Sequence, residues 1–185
     1  MFFNLDDEYL LNVSWKVKWK KPEIGWVKVN VDGSRDQYEA PTAGCGGVVR
    51  DAWGTWLIGF SQKLDPKNKP HQTELEAILK GLKLALKMNF DKVVVESDCE
   101  SAVRMVESGL GYKFQRPEYE VVQSIKNLIL DHEWQVEVVY VPRNANRLAN
   151  KLAKDARELS SYEPCNYLSV PDNCKQLFLE DNGQV

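Results

Sequence analysis

Val27, Val29 and Val31 alternate with Lys28, Asn30 and Asp32 in "GWVKVNVD" (25–32). A period of two predicts a strand with one buried face. Two more strand-like stretches follow, "AGCGGVVRD" (43–51) and "GTWLIGFSQKL" (54–64), with a tight turn from Asp51 to Gly54. Short connections between successive strands predict an antiparallel meander. The period then changes. In "TELEAILKGLKLALKM" (73–88), steps of about 100° put Leu75, Ile78, Leu82, Ala85 and Leu86 on one side of a helix. Glu76, Lys80, Lys83 and Lys87 fall on the other, and Thr73 with Glu76 fits a capping box. The Val run of "KVVVESD" (92–98) suits a strand buried on both faces.

A second helix is expected from Cys99 and a third over about 118–131. A strand, "WQVEVVYV" (134–141), ends at Pro142, and a last helix spans 144–159. The order β-β-β-α-β-α-α-β-α predicts an α/β fold: a five-stranded mixed sheet, three antiparallel strands then two parallel ones, flanked by helices. One domain over 25–160 accounts for this pattern. Residues 1–24 read as a leader and 161–185 as a turn-rich C-terminal tail. In the leader, "WKVKWKKP" (15–22) alternates aromatic and basic residues. It can pack its aromatics on the domain, or form a basic arm beside a nucleic acid.

Composition narrows the setting. The chain has 185 residues, 43% hydrophobic and 28% charged, enough for one domain with a core. No apolar run approaches the roughly 18–20 residues of a membrane helix. The start, "MFFNLDDEYLL", puts acids before its apolar residues, so a signal peptide is not expected. Cys45, Cys99, Cys165 and Cys174 form no CxxC pair, so the expectation is a reducing compartment, nuclear or cytoplasmic. A net charge of −3 means that any nucleic-acid contact needs a local basic patch.

Three carboxylates carry the candidate chemistry. Glu74 lies on the core-facing side of its helix, beside Ile78 and Ala85. A carboxylate there needs a partner, although the helix dipole also favours an acid in the first turn. Asp98 ends the Val strand and can serve as an N-cap. Asp32 precedes Gly33, as in many turns. As a set they read differently. Asp32 and Asp98 would sit at the carboxyl ends of neighbouring parallel strands, within reach of Glu74. Acids that converge without basic partners are usually reconciled by a hard divalent cation.

Four stretches in order, "NVDGS", "TELEAILKGLKLAL", "VVVESDCESAV" and "VPRNANRLANKLAK", resemble the ribonuclease H fold in its plant retroelement-like, reverse-transcriptase-associated branch. The resemblance runs from about Trp26 to Ala156. It implies a hydrolase, an endonuclease cutting the RNA strand of RNA–DNA hybrids with two Mg²⁺ ions, for which Mn²⁺ can substitute. It implies Asp32, Glu74 and Asp98 as metal ligands and catalytic residues, with Asp32 bridging both ions. Gly33, Ser34, Gln72 and Thr73 are implied as nucleic-acid contacts, reading hybrid shape and 2′-hydroxyls. A monomer without membrane partners is expected.

The chain departs from that pattern twice. The last helix of the family usually carries N-x-x-A-D-x-L-A, whereas "NRLANKLA" has Asn150 at the fourth catalytic corner. The preceding strand usually ends in His-Val-Pro, and here it reads Tyr140-Val141-Pro142. Asn150 can offer a carbonyl oxygen but no charge, so an impaired nuclease is one expectation. A catalytically degenerate nucleic-acid-binding or interaction module on the same fold is the other. Asn146, Asn150, Lys154 and Arg157 share a flank of the last helix that could face phosphates or solvent.

Overall fold

The computed structural model describes residues 17–38, 40–108 and 116–184. Its strands are β1 (Val27–Asp36), β2 (Thr42–Arg50), β3 (Trp56–Leu64), β4 (Lys92–Ser97), β5 (Gln135–Tyr140) and β6 (Cys165–Tyr167). Its helices are α1 (Pro70–Lys87), α2 (Glu100–Ser108), α3 (Pro117–Leu130), α4 (Arg147–Ala156) and α5 (Lys175–Asp181). The sheet order is β5-β4-β1-β2-β3-β6. Strands β1, β2, β3 and β6 pair antiparallel in turn, while β1–β4 and β4–β5 are parallel.

The α/β class and the mixed sheet are as expected, but the sheet has six strands, not five. The sixth, Cys165–Tyr167, is three residues long, too short to show a period. It belongs to the segment expected as a tail. That segment builds a second core: Cys174 is fully buried with Val48, Trp56, Leu148 and Leu152, and Tyr167, Val170, Leu177 and Phe178 pack against them. The larger core lies on the opposite face, where Val29, Val31 and Val95 meet Leu75, Ile78 and Leu82 of α1.

Three local expectations change. The chain does not turn at Asp32-Gly33. β1 runs straight through to Asp36, with Asp32 opposite Gly46 and Gly33 opposite Cys45, because β2 continues the antiparallel ladder beyond the end of β4. Helix α1 begins one turn early. Pro70 sits in its first turn, and Lys69 with Gln72 takes the capping role expected of Thr73 and Glu76. The last helix is shorter than 144–159: Arg143–Ala145 forms a 3-10 turn and α4 ends at Ala156.

Strand β4 is buried on both faces over Val95–Ser97, while Val94 is only partly buried. Helix α4 packs on β1, β2 and β3 and does not extend over that side of β4. In the leader, Trp19 is buried against the domain, which is the packing expected of its aromatics. Trp15 and Lys16 lie outside the described residues. All four cysteines are free thiols. Among the described residues, no helix is long and apolar enough to cross a membrane.

Candidate active site

Alternation along β1 sorts its side chains. Val29 and Val31 face α1, where their methyl groups meet Gly81. Asn30 and Asp32 therefore face α4. The last β1–β4 pair is Val31 with Ser97, so Asp32 and Asp98 follow one another on adjacent parallel strands at the point where the two part. Asp32 is 3% exposed. Asn150, from the second turn of α4, donates Nδ2–H to Asp32 Oδ2 at 2.8 Å. Helix α4 lies close enough because β2 has Gly46 beneath it; a Cβ there would stand 2.6 Å from Ala153 N.

Glu74 arrives from the other layer. The Gly33 N–H donates to Glu74 Oε2 at 2.9 Å, tying the first turns of α1 to β1. A Cβ on Gly33 would stand 2.8 Å from the Thr73 carbonyl carbon, so only glycine permits this approach. Asp98 is held by Asn146, whose Nδ2 donates to Asp98 Oδ1 at 3.1 Å and to the Val31 carbonyl at 2.9 Å. The N-terminal end of α2 is served instead by Ser97, whose Oγ accepts from the Cys99 N–H. Asp32, Glu74, Asp98 and Asn150 thus line one cleft of about 380 Å³, with Ser34, Arg143, Lys154 and Arg157 among the residues around it.

Two carboxyl groups of this cleft, Asp32 and Glu74, resist ionising. Burial pushes Asp32 up to about 9, and the negative charges of Glu74 and Asp98 and a hydrogen bond with Asp98 add to the effect. The Asn150 amide pulls the other way. Burial also pushes Glu74 up to about 7, aided by Asp98 and opposed by the Gly33 N–H and Arg143. Three oxygen-bearing acids in one cleft have the donor chemistry of a hard cation such as Mg²⁺. Among the described residues, however, no group of three or more His, Cys, Asp or Glu side chains is assembled as a metal cage. The Gly33 N–H holds Glu74 Oε2 instead.

The four residues expected at a nucleic acid are differently disposed. Gly33 and Thr73 border a neighbouring groove of about 560 Å³ that also reaches Arg35, Tyr38 and Glu74. The Thr73 hydroxyl is spent inside the helix, donating to the Lys69 carbonyl at 3.1 Å. Ser34 is 9% exposed at the edge of the cleft. Gln72 accepts from the Lys69 N–H at 3.4 Å.

Sequence reasoning missed Asn30 and misplaced Asn146. Asn146 is 1% exposed, not part of a solvated flank. Both bear a legible sign: Asn30 shares the parity of Asp32 along β1, and Asn146 precedes Asn150 by one helical turn. Lys154 does remain exposed, and Arg157 lies 3.7 Å from Asp36.

Comparison with known proteins bears on the family and the fold. Residues 30–156 match the family described as reverse transcriptase-like. An Arabidopsis thaliana protein named for ribonuclease H is 34% identical over 169 residues, 89% of this chain and 26% of that protein. The chain therefore spans about a quarter of that relative. Among solved structures, the N-terminal ribonuclease H domain of a Mycobacterium tuberculosis protein superposes with a TM-score of 0.63 at 24% identity, covering 72% of this chain and 94% of that one. Ribonuclease H1 of Halobacterium salinarum gives 0.62 at 19%, covering 71% and 96%. The compost-derived ribonuclease H1 LC11, solved with an RNA/DNA hybrid, gives 0.61 at 25%, covering 71% and 96%. The chain belongs to the reverse transcriptase-like family, and its domain is ribonuclease H-like.

Proposed function

We propose that this chain is a divalent-metal-dependent endonuclease that hydrolyses the RNA strand of RNA–DNA hybrids, with its metal site weakened by Asn150. The observation that carries this reading is Asp32. It is a buried carboxyl group flanked by two more acids, with an ionisation pushed up to about 9. Such an arrangement costs stability in the folded protein, and a divalent cation relieves it.

Asp32, Glu74 and Asp98 are the residues that would hold Mg²⁺ or Mn²⁺. Bound there, two such ions would activate a water and stabilise the leaving 3′ oxygen. The chain's own groups do the rest. Asn146 orients Asp98 by donating to Oδ1. Gly33 orients Glu74. Arg143 and Lys154 at the rim of the cleft attract phosphates. Asn150 supplies an amide where a charge would hold a cation better. Gly33, Ser34, Gln72 and Thr73 border the path along which a hybrid would be read by shape and 2′-hydroxyls. The relative solved with an RNA/DNA hybrid supports that substrate class. Four free thiols suit a nuclear or cytoplasmic setting.

A second reading rests on one contact. The Asn150 amide already occupies Asp32 Oδ2, so the domain could bind hybrids without cutting them. A labelled RNA annealed to DNA, incubated with folded protein and either metal, separates the two. Internal cuts in the RNA support the nuclease. Retention of the hybrid without cuts supports the binding module.

A further inference from the structure

A chain of buried hydrogen bonds runs from the C-terminal helix to Asp98. Asp181 Oδ2 accepts from Arg50 Nη1 at 2.8 Å. Arg50 Nη2 donates to Asn30 Oδ1 at 2.7 Å. Asn30 Nδ2 donates to Asn146 Oδ1 at 3.1 Å and to Glu96 Oε2 at 2.8 Å. Asn146 Nδ2 then donates to Asp98 Oδ1 and to the Val31 carbonyl. Arg50 and Asn30 are fully buried, Asn146 is 1% exposed and Asp181 8%. Asp181 also lies beyond residues 30–156, the stretch shared with the family.

The direction of this chain is forced from its ends. A guanidinium only donates, so the atom of Asn30 facing Arg50 must be oxygen. The Asn30 amino group must then face Asn146, which must answer with its own oxygen. The Asn146 amino group is left for the Val31 carbonyl, which only accepts, and for Asp98. Neither amide can flip without setting donor against donor or acceptor against acceptor in a dry interior. Arg50 in turn is kept in place by two contacts that no residue of the family-matched stretch makes. One is the charge of Asp181. The other is the Trp19 ring, whose centroid lies 3.5 Å from the guanidinium carbon.

We infer that Asp181 is a positioning residue for the active site: through Arg50, Asn30 and Asn146 it fixes which hydrogen-bonding group is presented to Asp98. The segment after residue 160 is thus a working part of the site. This inference rests on the proposed reading of Asp98 as a site carboxylate.

The test uses the full chain and the variants Asp181→Asn and Asn30→Ser, with Asp172→Asn as the control. Asp172 lies in the same C-terminal segment and pairs with Lys175, away from the relay. The first readout is NMR of the Asn146 side-chain amide. In the wild type its protons should exchange slowly with solvent. In either relay variant they should shift and exchange faster, with no change in the control. The second readout is cleavage of a labelled hybrid with Mg²⁺. For the relay variants kcat should fall about tenfold or more, the usual scale for residues that orient a metal ligand, with KM little changed. An Asn146 amide that exchanges at the solvent rate in the wild type overturns the inference whatever the variants do. So does an unchanged Asn146 signal in whichever relay variant stays folded. If the wild type does not cut at all, the nuclease reading fails, while the amide signal still decides whether Asp181 reaches Asp98.

Discussion

Asn150 and Asp32 meet directly across the cleft, Nδ2 to Oδ2 at 2.8 Å, so a neutral amide faces the most deeply buried acid of the site. Replacing it by an acid has opposite effects with and without metal. In chelator, Asn150→Asp removes a donor from a buried carboxylate and adds a like charge. This should cost on the order of 1–3 kcal/mol in urea unfolding. With Mg²⁺ the loss should be recovered. The added charge should raise hybrid cleavage about tenfold or more, the scale of 1.4 kcal/mol of stabilisation. A variant that gains nothing from Mg²⁺ would show that position 150 is not at the metal.

Asp32 and Glu74 make stability depend on pH. Asp32 ordinarily titrates near 3.8 and Glu74 near 4.5, and in the folded chain they are pushed up to about 9 and about 7. A carboxyl group whose folded value is raised favours the folded state at low pH. Its contribution is full below the unfolded value and is lost as pH rises through the folded one. In chelator, Tm should therefore decline from about pH 5 to pH 9 on account of these two groups, and Mg²⁺ should flatten the decline. A Tm that rises over that range in chelator and again in Mg²⁺ would contradict the electrostatics described.

Asp32→Asn separates stability from activity. It removes the charge that burial and two acids oppose. The metal-free variant should gain on the order of a few kcal/mol near pH 8. It should lose hybrid cleavage entirely. Differential scanning calorimetry in chelator reads the first effect.

Gly33→Ala tests the joint between the layers. The new methyl would lie 2.8–2.9 Å from the α1 backbone at Thr73 and Glu74. Overpacking of this kind typically costs about 1–3 kcal/mol. It should also disturb the Gly33–Glu74 hydrogen bond, so cleavage should fall more than stability alone accounts for.

The second core makes the C-terminal segment necessary for stability. Phe178 meets Trp56 edge to face with ring centroids 6.1 Å apart. Phe178→Ala should cost about 2–3 kcal/mol, toward the low end for an aromatic truncation because Phe178 is only partly buried. Chemical denaturation monitored by the fluorescence of Trp56 and its neighbours reads the loss.

Where a period is long, the fold is legible in the sequence. The alternation of β1 and the amphipathic pattern of α1 placed the layers. Asp32 and Asp98 could be aligned because both follow Val-rich strands. Shorter signals failed. Three residues of β6 carry no period, and the Asp-Gly pair at 32–33 looks like a turn although it lies inside a strand. Pro70 overrode the capping pattern at Thr73 because a proline in the first turn moves the start of the helix. The pairing of the buried Arg50 depends on α5, which follows it by more than a hundred residues. No local pattern could announce that Arg50, at the end of a strand, pairs with Asp181.

The most direct test is a single-turnover assay with RNA labelled at its 5′ end, annealed to DNA, and an excess of folded protein in Mg²⁺ or Mn²⁺. The expected result is internal cutting of the RNA strand by the wild type and none by Asp32→Asn. An uncut hybrid with both metals would contradict the account, as would equal cutting by Asp32→Asn.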